Sequence, residues 1–94
     1  MRFEWDEEKN LRNWRKHGIR FGTAALVFDD PEHVLFRDRD VDGEERWHAI
    51  GLADKTTLLI VVHSYRDEDA ETEVVRVISA RLATRSERGL YGNG

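Results

Sequence analysis

Apolar positions along the chain follow two different repeats. Phe3 and Trp5 alternate with Arg2 and Glu4, the two-residue period of a short strand. Asp6 then offers an N-cap, and Glu7 and Glu8 put negative charge where the helix dipole favours it. This predicts a helix to about His17, stopped by Gly18, with Leu11 and Trp14 on its inner face. Phe21, Ala24, Ala25 and Phe28 fall at i, i+3, i+4 and i+7, the stripe of a second helix. Asp29-Asp30-Pro31 ends it, because proline disfavours helix in the residue before it.

Beyond Pro31 the period shortens. Strands are expected over 33–37, 45–52, 57–65 and 72–80, joined by an acidic turn at 38–43, a turn at Asp54-Lys55 and a charged hairpin loop at 66–71. The segment 57–65 is apolar on both faces, which puts it at the centre of a sheet, with His63 in the core and a partner on its ring nitrogen. Thr84-Arg85-Ser86-Glu87 fits a capping box and predicts a short helix over 85–91, after which Gly92-Asn93-Gly94 should fray. The order β-α-α-β-β-β-β-α describes an α+β fold. A mainly antiparallel sheet packs against two N-terminal helices and a short C-terminal helix, in a single domain over residues 1–94.

Composition narrows the chemistry. The longest strongly apolar run, 58–62, is far short of the ~20 residues of a membrane span, and no signal-peptide core follows Met1, so a cytoplasmic protein without membrane contact is expected. The absence of cysteine removes disulfides, thiolate metal sites and cysteine nucleophiles. Asp38-Arg39-Asp40-Val41-Asp42-Gly43 resembles half a calcium loop, but Ala49 stands where the closing glutamate belongs. His33, His48 and His63 are too widely spaced for a zinc helix, and no phosphate loop, dinucleotide fingerprint or nucleophile elbow is present. No metal or cofactor is expected, which leaves chemistry by side chains.

The net charge of −4 argues against a simple nucleic-acid footprint, yet its distribution argues for one. Arg12, Arg15, Lys16 and Arg20 form a stretch without an acid, and Arg76, Arg81, Arg85 and Arg88 share theirs with Glu87 alone. Twelve of the fifteen bases are arginine, which favours bidentate contacts to phosphate or carboxylate. Metal-free cleavage of RNA needs a base for the 2′-OH, cations at the phosphorane and an acid for the leaving 5′-oxygen. The candidate groups are Lys16 and His17 at the end of the first helix, Arg46 and His48 two apart on one strand face, Arg76 within an apolar strand series, and Arg81 and Arg85 at the strand-to-helix junction. Each has a structural reading too: a helix C-terminus for Lys16 and His17, an ion pair with Glu44 or Glu45 for Arg46, and a buried pair for Arg76.

The words of the sequence, taken together, are more specific. Phe3-Glu4-Trp5-Asp6, Lys9, Asn13, Lys16-His17-Gly18-Ile19 and Phe21 come first, followed by Ala25 and Val27-Phe28-Asp29-Asp30-Pro31. Gly43-Glu44-Glu45-Arg46 then leads to Ile50-Gly51, and Val77-Ile78-Ser79-Ala80-Arg81 to Ala83-Thr84-Arg85-Ser86-Glu87-Arg88 and Tyr91. In this order, from Phe3 to about Tyr91, they resemble the BrnT family of bacterial toxins. The resemblance implies a RelE-like fold and the toxin of a type II toxin–antitoxin pair, a ribonuclease that stops translation. It implies a BrnA-like antitoxin as partner, RNA as substrate, and operator DNA bound only through the antitoxin complex. On this reading Lys16, His17, Arg46, Arg76 and Arg81 are catalytic, with proton transfer by His17 or Lys16 and phosphate contacts from the three arginines. Arg85 and His48 contact RNA. The alternative is a RelE-like module that holds an antitoxin without catalysis.

Overall fold

Asp6 opens the first helix as its sequence predicts. In the computed structural model, which describes residues 1–92, its side chain accepts hydrogen bonds from the N–H groups of Glu8 and Lys9. Helix α1 (Glu7–His17) ends on Gly18 in the left-handed conformation, φ 72°, whose N–H donates to the Trp14 carbonyl. The second helical stripe divides into α2 (Phe21–Ala25) and a 3-10 segment, Leu26–Asp29, with Phe21, Ala24 and Val27 buried. The expected fraying of Asn93 and Gly94 lies outside the described residues.

Strands β1 (Arg2–Glu4), β2 (Val34–Val41), β3 (Glu44–Leu52), β4 (Leu58–Asp67) and β5 (Glu73–Leu82) form one sheet in the order β1-β5-β4-β3-β2. The most apolar strand, β4, is therefore central, as its sequence predicts. Every pairing is antiparallel except β1 with β5, which is parallel. Helix α3 (Arg85–Arg88) closes the chain with its capping box formed: Glu87 N–H donates to the Thr84 hydroxyl, and Thr84 N–H to the Glu87 carboxylate. The α+β class and the element order are those expected.

Three details differ from the sequence reading. Strand β2 runs to Val41, so the turn is only Asp42 and Gly43, both at positive φ (52° and 78°). Such a two-residue turn matches the twist of the strands it joins, which lets the acidic residues before it stay in the ladder. Second, Leu11 and Trp14 do not face the core; they are 38% and 44% exposed, and the Arg20 guanidinium lies 4.5 Å from the Trp14 ring centroid. The inner face of α1 is polar instead. Asn10 accepts from Phe21 N–H; Asn13 donates to the carbonyls of Ile19 and Ala80 and accepts from Ala80 N–H. The physical cause is the neighbour: α1 lies along β5 beyond the three residues that pair with β1, where backbone groups need partners rather than apolar cover.

Third, β5 carries a register shift opposite Val62 and His63, so Val77 and Ala80 both reach the core on the helix side. That core gathers Phe21, Ala24 and Val27 against Ala49, Leu59 and Val61. A smaller cluster on the opposite face joins Ile50, Leu58 and Ile60 to Phe36, Leu52, Ala83 and Tyr91. Tyr91 hydroxyl donates to Asp30, which also accepts Leu52 N–H, and so the C-terminal segment is fixed over one end of this face.

Gly51 sits where β3 passes under the 3-10 segment. A Cβ there would lie 2.7 Å from Val27 Cγ1 and 3.0 Å from His33 Cβ. Gly51→Ala is expected to cost about 1–3 kcal/mol through overpacking, read as a lower urea midpoint.

His63 is fully buried between neighbours that fix its tautomer. Nδ1 faces the Val61 carbonyl at 3.1 Å and must donate, so Nε2 accepts from the Tyr65 hydroxyl at 3.0 Å. Burial pushes its pKa down to about 4 from the ordinary 6.5, against the opposing pull of the Val61 carbonyl. A depressed histidine contributes stability above the unfolded value and loses it as pH falls through the folded one. Urea unfolding should therefore show stability declining from pH 6.5 towards 4, and His63→Phe should flatten that decline.

Candidate active site on the second sheet face

Cross-strand neighbours point to the same side of a sheet, which gathers the candidate cations. His48 stands opposite Val62, Arg76 opposite Ser64 and Arg81 opposite Ile60, all on the face away from α2 and its 3-10 segment. Arg46 and Glu44 join them, being two and four residues from His48 on β3. Glu44 is the common partner: its carboxylate lies 4.0 Å from Arg46 Nε and 3.8 Å from an Arg76 guanidinium nitrogen. These are ion-pair distances without hydrogen bonds. Arg46 Nε is buried and has no hydrogen-bond partner among the described residues, a donor left open. Arg76 is not the buried pair that its apolar series suggested, since 42% of its side chain is exposed.

The other two candidates on this face are held more tightly. His48 Nε2 lies 3.1 Å from Asp38, and its ring stacks edge-on against Phe36 at 5.0 Å. Arg81 grips Glu87 with two parallel hydrogen bonds of 2.7 and 2.8 Å, tying β5 to α3. That pair, opposed by partial burial and aided by Thr84 N–H, pulls the Glu87 carboxyl down to about 2. Arg85 is exposed on the first turn of α3, beyond this pair.

Lys16 and His17 stand apart. With Lys9 and Arg12 they line a cleft of about 190 Å³ between α1 and β5, closed by Ile78 and Ser79. The structure thus joins Arg46 and Arg76 around Glu44, holds His48 against Asp38 farther along the same face, leaves Arg81 latched at the α3 end, and puts Lys16 and His17 at the outer edge of β5. Sequence reasoning offered Glu44 or Glu45 only as an ion-pair partner of Arg46, and missed both the Glu44 contact with Arg76 and the Asp38 contact with His48. The spacing of Glu44, two residues before Arg46, was the available signal; Asp38 was hidden by its assignment to a turn.

Residues 5–87 match the family described as "Ribonuclease toxin, BrnT, of type II toxin-antitoxin system". The chain belongs to the BrnT family. Among solved structures, the 1.1 Å crystal structure of the Brucella abortus ribonuclease toxin BrnT is similar, with a TM-score of 0.65 and 26% identity. The likeness covers 90% of this chain and 99% of that one. No curated protein matches. As a member of a type II toxin family, the chain is expected to have an antitoxin partner, and no helix among the described residues is long and apolar enough to cross a membrane.

The Arg81–Glu87 latch generates a prediction about acid stability. A carboxyl with a depressed folded pKa contributes stability above its ordinary value of 4.5 and loses it as pH falls towards 2. Thermal unfolding at pH 6 and pH 3 should show a smaller acid-induced drop in Tm for Glu87→Gln than for the native chain. Equal drops would mean that the latch does not carry this linkage.

Proposed function

We propose that this BrnT-family chain is a metal-independent endoribonuclease acting in the cytoplasm. It stops translation by cutting RNA and is neutralised by a BrnA-like antitoxin, through which alone it meets operator DNA. The observation that carries this reading is the open face itself, where two partly exposed arginines flank one carboxylate with unsatisfied donors. A scissile phosphate entering there meets Arg46 and Arg76, whose guanidinium groups match its oxygens in pairs. Glu44 takes the 2′-OH proton; the 2′-oxygen bonds to phosphorus, and the P–O5′ bond breaks. His48, oriented by Asp38, returns a proton to the departing 5′-oxygen, leaving 2′,3′-cyclic phosphate and 5′-OH ends. Arg81 joins the phosphate contacts when RNA competes with Glu87, and Arg85 extends them along the strand. In this scheme Glu44 and His48 take the proton-transfer role that the sequence suggested for Lys16 or His17, because they share a face with the arginines.

The second reading, a binding module without catalysis, has its own support. Asp38, Glu44 and Glu87 already pair with His48, Arg46, Arg76 and Arg81, much as acidic groups of a partner would.

The test is incubation of purified, antitoxin-free protein with end-labelled RNA in excess EDTA. Cleavage with cyclic phosphate ends is expected. Arg76→Ala and Glu44→Gln should each lower its rate by at least about 100-fold, the scale of removing one group that stabilises the transition state, with the fold unchanged by circular dichroism. Intact RNA from the folded native chain, together with weakened antitoxin affinity in Arg76→Ala, would establish the binding module instead.

A further inference from the structure

The cleft between α1 and β5 is left unused by the chemistry just described. Its helical wall is a single stripe: Lys9, Arg12 and Lys16 recur at the three- and four-residue spacing of one helix face, and His17 follows four residues after Asn13. Asn13 lies in the same stripe, and its hydrogen bonds to both backbone groups of Ala80 press that face against β5. Leu11 and Trp14, the exposed apolar residues of α1, occupy the opposite face. The cleft therefore offers charge and a serine hydroxyl, with no large apolar anchor of the kind protein partners use.

Its charge is uncompensated. Among the described residues Lys9, Lys16 and His17 form no ion pair, and Arg12 only a loose one with Glu8, 3.8 Å apart on a well-solvated surface. Arg46, Arg76, His48 and Arg81, by contrast, each face a carboxylate. No acid occurs between Lys9 and Phe28. Neutralising the helix dipole accounts for Lys16 and His17 in the last turn, but not for Lys9 in the first turn, where a cation is unfavourable. Ile78 and Ser79 lie on β5 between Arg76 and Arg81, so the cleft is about 7–10 Å along the strand from either arginine.

We infer that the α1–β5 cleft is a second phosphate subsite, which holds the RNA backbone beside the scissile phosphate through Lys9, Arg12 and Lys16. The inference rests on the nuclease reading for its ligand, and adds Lys9 and Arg12 as binding residues. A single strand so held runs across the β5 edge before its scissile phosphate reaches Glu44.

The test is fluorescence anisotropy of a labelled, 2′-O-methylated single-stranded RNA, which has no 2′-OH to react, titrated with the antitoxin-free full chain at several salt concentrations. Lys9→Gln with Arg12→Gln keeps good helix formers on α1. The double variant should raise Kd about tenfold and flatten the salt dependence by about 1.4 in log–log slope, as expected when two side chains no longer neutralise phosphates of a single strand. On cleavable RNA it should raise KM with kcat within about twofold. Unchanged Kd and slope in a folded double variant overturn the subsite. So does a native chain that binds a poly-glutamate peptide as well as RNA and a double variant that binds both equally weakly, which would mark the cleft as a seat for an acidic protein segment. Failure of the nuclease reading is separable: a native chain that binds the methylated RNA but cuts no RNA loses its catalytic assignment, while the Kd comparison still decides the cleft.

Discussion

The layout of this molecule depends on one buried amide. Strand β5 is ten residues long, but β1 pairs with only three of them, so its outer edge continues with unpaired N–H and C=O groups. Asn13 supplies a donor and an acceptor to Ala80 on that edge and a second donor bond to the Ile19 carbonyl, joining α1, the turn after it and the sheet. A buried amide left without these partners costs on the order of 1–3 kcal/mol, so the contact is specific as well as attractive. It sets the rotation of α1. The helix thereby turns its basic stripe towards β5 and leaves Leu11 and Trp14 in solvent.

The second constraint is the irregularity in β5. A regular strand would put Val77 and Ala80 on opposite faces, because alternation has a period of two. The shift opposite Val62 and His63 lets both enter the helix-side core while Arg76 and Arg81 stay together on the other face. The strand therefore carries core residues on one face and both arginines on the other. His63 sits at the same level of β4, dry and neutral, and belongs to the core rather than the site.

Charge is organised by pairing. In an acidic chain the cations of the second face would disappear in the average, yet each meets a particular carboxylate with a particular tightness. The Glu44 pairs are long and leave donors open; the Glu87 pair is bidentate and closed. Arg46 and Arg76 thus make no hydrogen bond to Glu44, whereas two donors of Arg81 are taken by Glu87. Exposed pairs of the first kind contribute little to stability, so displacing them costs correspondingly little.

The linear sequence was enough for the α+β class, the element order, both capped helices and the central place of the strand expected over 57–65, because caps, turn residues and period-two patterns act locally. It was also enough for the family words and for putting Arg46 and His48 on one strand face. It misjudged α1, since a hydrophobic pair three apart reads as an inner face unless the neighbour is known to be an open strand edge. It also could not separate Lys16 and His17 from the arginines. Residues two apart on a strand share a face by geometry, whereas a helix and a strand more than sixty residues away meet only through contacts such as Asn13 to Ala80. Tertiary structure alone decided which carboxylate each cation faces, since Glu44 and Arg76 are brought together across β4 by sheet order rather than by spacing along the chain.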